Sequence, residues 1–392
     1  MKPILAILIF VFCGPMSVML SAQSIQVAAG VQVSEIQSND LIEISGLVVS
    51  RAIQHTLWLH EDSGSDPIFY GIDASTGQTH STISLANAPH VDWEDMAVGP
   101  RPGGGHYLYI GDIGDNGANR NTGIDIIRFR EPASVGDQTI AAADYTVKRV
   151  TYPGILFFRE EDAESLFVDP LTGDIYIIQK LNPGRLFRMP AQEFDNPGTY
   201  MLESLGAIQA PLDKPTAADI SPDGRCILVR NSSSGGTPAY LFYRNVDQQQ
   251  SVQSAMQNPA IAVNIESEQQ GETIAWNADA SGFYSISEGE NSPVWFYAVS
   301  YPVTNVKDEK SANPVRVYPN PVKDRFTVEK EYKEDCRVEL SDMLGRVVYT
   351  RDWREMENKL TIDIGHFPAG AYTLHLSTSN QTENTRIVRT EE

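Results

Sequence analysis

The feature that most constrains the fold of this chain is an internal repeat. Each copy has a pair of small or acidic residues, then an apolar strand, a tight turn and two further strands. Taking Ser45, Glu94, Glu164, Ala218 and Glu272 as equivalent positions, successive copies are 49, 70, 54 and 54 positions apart. The copies begin with EISGLVVS (43–50), DWEDMAVGP (92–100), DAESLFVDP (162–170), TAADISPDG (216–224) and GETIAWNADASG (271–282).

Three or four strands repeated at this spacing predict an all-β fold with a β-propeller, because each blade buries its faces only when neighbours stack. Five blades can be counted. The longest interval between copies, 70 positions, contains ADYTVKRVTYP (143–153). This run is either a fourth strand of its blade or part of a sixth blade. A β-sandwich is the alternative, but it would not explain a register that recurs with similar loops. The last copy lacks a fourth strand, so we expect SIQVAAGVQVSEI (24–36) to complete that blade and close the ring.

The N-terminus reads as a signal peptide spanning residues 1–22. Lys2 precedes the apolar run ILAILIFVF, and the small-residue stretch SAQS follows, which is the order of a charged start, an apolar core and a cleavage region. A membrane anchor is the alternative, but Gly14 and Pro15 interrupt a run that is shorter than the ~20 apolar residues needed to span a bilayer. Residues 23–302 then form the predicted propeller. The chain has 3 cysteines, so we expect core burial, and not disulfides, to stabilise this exported protein.

A second domain is predicted after the polar linker 303–313. Residues 314–392 alternate apolar and polar side chains between hairpin-type turns, which is typical of a small Ig-like β-sandwich. The segment contains YPNPV (318–322), DMLGR (342–346), PAGAYTLHL (368–376) and RIVR (386–389) in that order.

These motifs resemble the C-terminal sorting domain of the type IX (Por) secretion system. The resemblance implies a bacterium of the Bacteroidetes type and export through the periplasm and across the outer membrane. It also implies that the type IX machinery is a partner of residues 314–392. The domain would then be removed, and the protein released into the medium or held at the cell surface.

The charge of the chain limits its partners. The formal net charge of −21 argues against binding to nucleic acid, whose phosphates need a basic face, and against anionic membrane surfaces. It does not exclude cations as binding partners. We expect a monomer that binds a small molecule or a glycan.

The predicted propeller brings acidic side chains together. The start of each innermost strand and the loop after each second strand lie on one face of such a disc. Like charges that converge there repel one another unless a cation neutralises them, and Ca²⁺ takes 6–8 oxygen ligands. The metal ligands we predict are Glu94, Asp112, Asp115, Asn116, Glu164 and Glu272. The Asp-Asn-Gly run around Asn116 is equally typical of a plain turn.

Other residues of the same face are candidates for ligand binding, and the basic ones favour an anionic ligand such as a phosphate or a uronate. The candidates are His60, Glu61, Asp62, Lys180, Lys214, Arg230 and Glu288. Four tryptophans are interpreted as packing residues of the blades: Trp58, Trp93, Trp276 and Trp295.

The first domain is loosely similar to secreted calcium-dependent propellers, namely the propeller phytases and the gluconolactonase or strictosidine-synthase group. Two classes of function stay open. One is a non-catalytic protein that binds a cation with an anionic or carbohydrate ligand. The other is a calcium-dependent hydrolase or lyase acting on phosphate esters or acidic polysaccharides, with Glu94 or Asp95 as general base. Binding is favoured, because carboxylates are in excess and no pattern marks one of them as the base.

Overall fold

The computed structural model describes residues 25–38, 41–62, 66–115, 120, 123–154, 162–232, 239–266, 268, 270–301, 315–330, 335–342, 346–354, 357–378 and 382–390. The chain divides into two compact units, Met1–Pro302 and Val303–Glu392. The predicted signal peptide, the predicted linker 303–313 and the candidate ligand Asn116 lie outside the described residues.

The first unit is built almost entirely of strands. In chain order they are β1 (Gln26–Val27), β2 (Val31–Glu35), β3 (Ile44–Val49), β4 (Thr56–Glu61), β5 (Ile68–Asp73), β6 (Thr79–Leu85), β7 (Trp93–Pro100), β8 (His106–Asp112), β9 (Ile124–Arg130), β10 (Gln138–Ile140), β11 (Tyr145–Thr151), β12 (Ala163–Val168), β13 (Ile175–Gln179), β14 (Arg185–Met189), β15 (Tyr200–Met201), β16 (Glu203–Ala207), β17 (Pro215–Ile220), β18 (Cys226–Asn231), β19 (Ala239–Tyr243), β20 (Ile261–Val263), β21 (Ala275–Trp276), β22 (Gly282–Ser285) and β23 (Pro293–Ser300). One short helix, α1 (Val252–Met256), and two 3₁₀ turns, Ala191–Glu193 and Val246–Gln248, interrupt the described strands. No helix among the described residues is long and apolar enough to cross a membrane.

These strands form five sheets, which we number in chain order. Sheet 1 is β3 to β6 with β10 at its edge, and sheet 2 is β7, β8, β9 and β11 with β15 at its edge. Sheet 3 is β12, β13, β14 and β16, and sheet 4 is β17 to β20. Sheet 5 is β21 to β23 with the N-terminal strands β1 and β2. Strand β11 pairs antiparallel with β9, so residues 143–153 supply the fourth strand of sheet 2.

Apolar side chains fill the space between consecutive sheets. Separate buried clusters join sheet 1 to sheet 2, sheet 2 to sheet 3, sheet 3 to sheet 4, sheet 4 to sheet 5, and sheet 5 back to sheet 1. Trp58, Trp93 and Trp276 are fully buried, as predicted. The first strands β3, β7, β12, β17 and β21 contact one another in that order, and β21 contacts β3. The starts of all five first strands therefore lie near one another.

The N-terminal segment completes sheet 5. Strand β2 pairs antiparallel with β23, with Val31 opposite Phe296, and β1 continues along the same strand, with Gln26 opposite Ser300. This pairing confirms the prediction that residues 24–36 supply the missing outer strand of the last repeat.

A β-bulge interrupts the pairing near the start of the first strand in each of sheets 1 to 4. The unpaired residues are Ser45, Glu94, Glu164 and Thr216. The sequence alignment of the fourth repeat was therefore wrong by two residues, because it placed Ala218 at this position. Thr216, Ala217 and Ala218 are all small, so side-chain size did not mark the bulge.

The second unit contains two sheets around one apolar core that includes Phe326, Trp353 and Leu374. Its strands are β24 (Val315–Tyr318), β25 (Arg325–Lys330), β26 (Cys336–Asp342), β27 (Val347–Trp353), β28 (Lys359–Asp363), β29 (Gly370–Ser377) and β30 (Thr382–Arg389). The sheet orders are β24-β25-β28 and β27-β26-β29-β30. Cys336 of this unit and Cys226 of the first unit are both buried, and neither forms a disulfide among the described residues.

Candidate metal centre

Five carboxylates meet where sheets 1, 2 and 3 begin. Glu94 and Glu164 are bulge residues of β7 and β12, and bulges often redirect a side chain at functional sites. Asp92 and Asp162 each stand two positions before the bulge residue, and Asp62 follows β4. We call this set, Asp62, Asp92, Glu94, Asp162 and Glu164, the acidic mouth.

The mouth consists of two overlapping groups. One oxygen each of Asp62, Asp92 and Glu94 lie within 4.8 Å of one another, and the same holds for Glu94, Asp162 and Glu164. Calcium binds oxygen at roughly 2.3–2.6 Å, so two ligands of one ion can be up to about 5 Å apart. Each group therefore has the dimensions of a calcium site, and Glu94 belongs to both.

The two glutamates at the centre are deeply buried. Glu94 is 2 % exposed and Glu164 is 3 % exposed. Glu94 Oε1 and Glu164 Oε2 have no hydrogen-bond partner among the described residues. A buried polar atom without a partner costs free energy, typically about 1–3 kcal/mol. A proton or a cation at these oxygens would remove that cost.

Burial and mutual repulsion favour the protonated carboxyl of Glu94. Burial is the main cause that raises its pKa to about 10, and the charges of Asp62 and Asp92 add to the shift, while Lys180 opposes it. The pKa of Glu94 therefore lies where the group holds a proton at neutral pH unless a cation takes its place.

Lys180 is the basic side chain of the mouth. It follows β13, its ammonium forms an ion pair with Glu164 Oε1, and its side chain is 20 % exposed. Its backbone N–H donates to the carbonyl of Asp162 at 3.0 Å. The ammonium of Lys180 thus stands among the five carboxylates that the structure describes at the mouth.

Gly114 borders the mouth directly. A Cβ at this position would collide with Glu94 Oε1 and with the carboxylate of Asp92. The absence of a side chain at residue 114 therefore lets the carboxylates of Glu94 and Asp92 lie directly against this glycine.

Two predicted metal ligands support the mouth from its edge and belong to neither group. Asp112 is fully buried, forms an ion pair with Arg120 at 2.8 Å, and accepts the backbone N–H of Asp92 at 2.8 Å. Asp115 donates its backbone N–H to Asp162 Oδ1 at 2.9 Å. Both residues fix the positions of mouth carboxylates.

Asp95, a candidate general base, joins three sheets. Its carboxylate accepts backbone N–H groups from Met96 at 2.9 Å, Leu166 at 2.8 Å and Ala218 at 3.1 Å. These donors lie on β7, β12 and β17. Burial raises the pKa of Asp95, and the three backbone donors oppose that shift. The structure thus places this carboxylate among the first strands as a structural acceptor.

Asp219 makes a similar connection between sheets 4 and 5. It accepts the backbone N–H of Ile220 at 2.8 Å and of Trp276 at 2.7 Å. Burial raises its pKa to about 6, and the charge of Arg51 opposes the shift.

His60 is a core residue of the structure. It is fully buried, its Nδ1 lies 2.9 Å from the carbonyl of Glu61, and its ring packs edge-on against Trp93. Burial lowers its pKa to about 4, so the ring is neutral at physiological pH. A side chain at Gly46 would collide with the ring, which explains the glycine there.

Three other candidates for ligand binding lie apart from the two acidic groups. Glu61 Oε1 accepts the backbone N–H of Ile42 at 2.9 Å. Arg230 is fully buried and forms an ion pair with Glu268. Lys214 is exposed on the loop before β17.

Glu272 and Glu288 form a second acidic pair on sheet 5. Burial raises the pKa of Glu272, whose side chain shares a hydrogen bond with that of Glu288. Burial and the charge of Glu272 raise the pKa of Glu288 to about 8. Glu288 also lines a cavity of about 290 Å³ together with Glu43 and Gln270.

The sequence interpretation did not include Asp92 and Asp162 among the site residues. Both precede a bulge glutamate in the pattern Asp-x-Glu, as Asp92-Trp93-Glu94 and Asp162-Ala163-Glu164. This repeated triplet was a usable signal, because it places two carboxylates at the same point of two consecutive first strands.

Comparison with known proteins identifies the second unit. Residues 316–390 match the family model of the secretion system C-terminal sorting domain. No curated protein matches the chain.

Two solved structures illustrate what the chain is similar to. One is a DUF3244 family protein with an immunoglobulin-like β-sandwich fold from Bacteroides vulgatus, with 26 % identity and a TM-score of 0.17 over 19 % of this chain and 83 % of that one. The other is a structural genomics protein of unknown function from Bacteroides thetaiotaomicron, with 11 % identity and a TM-score of 0.40 over 71 % of this chain and 77 % of that one.

The family match confirms the resemblance drawn from the four C-terminal motifs. Such a domain interacts with the type IX secretion machinery and directs a protein to the cell surface or the medium. Residues 316–390 are therefore a C-terminal sorting domain of the type IX secretion system, and the protein is exported to the cell surface or secreted.

Proposed function

We propose that the five sheets are the blades of a five-bladed β-propeller whose acidic mouth binds a divalent cation, Ca²⁺ above all, together with an anionic ligand. The exported protein would then be a binding protein of the cell surface or the medium. Glu94 carries this proposal, because its carboxyl group is buried among four others and one of its oxygens has no partner among the described residues.

The arrangement of the sheets supports the propeller. Each sheet is antiparallel in its centre, each packs against two neighbours through an apolar cluster, and the first strands contact one another in sequence. The N-terminal strands complete the last sheet, which is a common way to fasten a ring of blades.

The chemistry of the donors supports calcium. Both groups of the mouth offer carboxylate oxygens, which are the ligands of hard cations such as Ca²⁺ and Mg²⁺. Calcium also accepts flexible and irregular coordination, whereas Mg²⁺ demands near-ideal octahedral geometry.

Lys180 supports an anionic ligand. Its side chain is 20 % exposed at the mouth, so an anion could contact the ammonium and a cation at once. Trp93 is fully buried and is therefore not a platform for a sugar ring.

We expect calcium to raise the melting temperature of the full-length protein, and this rise to grow with pH. The native pKa of Glu94 lies near 10 and its ordinary value is 4.5. Between these values the native state retains a proton that the unfolded chain has lost, so without calcium stability falls as pH rises. Calcium replaces that proton. At 100-fold excess over Kd the rise should be about 5 °C near pH 8, and much smaller at pH 5.

Thermal melts with calcium and with a chelator test this expectation. Glu94→Gln should remove the calcium response and weaken the pH dependence of the metal-free melting temperature. Glu43→Gln, at an exposed carboxylate beside the mouth, is the matched control and should respond like the unaltered protein. A melting curve that calcium and chelator leave unchanged at every pH would refute cation binding.

A second candidate function is a calcium-dependent hydrolase or lyase acting on phosphate esters or acidic polysaccharides. The convergence of carboxylates at the mouth favours it, because a cation held there could activate a water molecule or polarise a substrate. If this function is correct, a screen of such substrates should give turnover with calcium and none with chelator, and Glu94→Gln should lower the rate about 100-fold or more. Binding without turnover of any of these substrates would favour the first function.

A further inference from the structure

We infer that the acidic mouth holds two divalent cations, with the carboxylate of Glu94 bridging them. This inference rests on the proposed cation binding and adds the number of ions and the division of their ligands. Asp62 and Asp92 would complete the first site, and Asp162 and Glu164 the second.

The geometry of the two groups points to a bridge. They have Glu94 in common and no other member. A carboxylate has two oxygens and can serve two ions, and paired metal ions in proteins lie about 3.5–4 Å apart. Glu94 Oε1 has no partner among the described residues, and Oε2 has a contact of 3.5 Å with the Ser45 hydroxyl, at the limit of a hydrogen bond. Neither oxygen therefore has a close hydrogen-bond donor among the described residues.

The second site also has a buried carboxylate oxygen without a hydrogen-bond partner among the described residues. Glu164 is 3 % exposed, and its Oε2 lacks a partner among the described residues. Lys180 contacts the other oxygen, Oε1. The ion pair with Lys180 and a cation at Oε2 can therefore exist together.

The charges of the mouth match two divalent cations. Counted over the described residues, five ionised carboxylates and the ammonium of Lys180 leave a net charge of about −4 in a buried setting, where charges need compensation. A single divalent ion would leave about half of that charge uncompensated. Two ions neutralise it.

The stoichiometry of calcium binding tests the inference. Full-length protein freed of metal with a chelator is titrated with Ca²⁺ by calorimetry and by equilibrium dialysis with metal analysis. The unaltered protein and the Glu43→Gln control should bind two ions. Asp62→Asn with Asp92→Asn should bind one, and so should Asp162→Asn with Glu164→Gln. Glu94→Gln should weaken both sites at least 100-fold.

Manganese gives a measurement that needs no variant. Two Mn²⁺ ions bridged by one carboxylate are magnetically coupled, so their electron paramagnetic resonance spectrum differs from the six-line signal of an isolated ion. A coupled spectrum at two equivalents supports the inference. One bound ion, or two ions with uncoupled signals, would overturn it and leave the proposed function standing, whereas no bound ion would overturn both.

Variants that fold poorly are recognised from melts without metal. The substitutions at Asp62 and Asp92 remove carboxylates that repel their neighbours, so the metal-free melting temperature of that variant should stay the same or rise. If the variant with Asp62→Asn and Asp92→Asn melts lower without metal, it is replaced by Gly114→Ala. Its Cβ would collide with Glu94 Oε1 and Asp92, so this variant should lose the first ion.

Discussion

Removal of residues 314–392 should stop export completely and leave the protein in the periplasm of its native host. The reason is that residues 316–390 are the sorting domain, whereas all five carboxylates of the acidic mouth belong to the first unit. Cell fractionation and protease accessibility of intact cells measure the first effect. Calcium titration of the retained protein should give the affinity of the full-length chain.

The matched control replaces the sorting domain with an unrelated β-sandwich of similar size, and export should fail in the same way. In the reverse experiment, residues 303–392 placed behind a signal peptide and a foreign passenger should carry that passenger to the surface or the medium. Normal export of the truncated protein would contradict the role of this domain. Failure of the first unit to fold without it would contradict the independence of the two units.

Deletion of residues 24–36 should strongly destabilise the first unit. Strands β1 and β2 cover the edge of β23, and an exposed edge invites aggregation. Ile25 is 8 % exposed and Ile36 is fully buried, and the loss of two buried isoleucines costs about 4 kcal/mol or more. We expect a fall in melting temperature of roughly 10 °C, measured by calorimetry, with aggregation on heating.

The control for this deletion is Val31→Thr, because the side chain of Val31 is 60 % exposed on the same strand. It keeps the backbone pairing of β2 and should shift the melting temperature by about 1 °C or less. If the deletion left the melting temperature unchanged, the N-terminal strands would contribute nothing to the stability of sheet 5.

Several features of the site could be predicted from the sequence. Glu94 and Glu164 were expected near one another because they stand at equivalent points of two repeats, and the structure places both in the acidic mouth. Asp62 was expected there because it follows a second strand. Equivalent positions in repeated units converge whatever the details of packing, so pattern alone located these three residues.

Other predicted site residues turned out to have structural contacts that no pattern reveals. His60 packs between Gly46 and Trp93, and Arg230 pairs with Glu268. Each was predicted to lie at the mouth because it stands where a second strand ends and its loop begins. Burial depends on which strands pack over a residue, and that follows from contacts between distant parts of the chain.

The sequence by itself determined the features that local patterns encode: the all-β class, the repeat, the N-terminal strand of the last repeat and the sorting domain. Alternation of side chains, turn residues and short motifs are local properties, so they can be recognised without knowledge of the fold. Only the tertiary structure decided which carboxylates converge at the mouth and which support it from its edge. Asp95 and Glu94 are adjacent in sequence, yet Asp95 accepts N–H groups from three strands while Glu94 keeps an unpartnered oxygen at the mouth. A bulge separates these two roles, because it turns one carboxylate toward the mouth and leaves the next among the first strands.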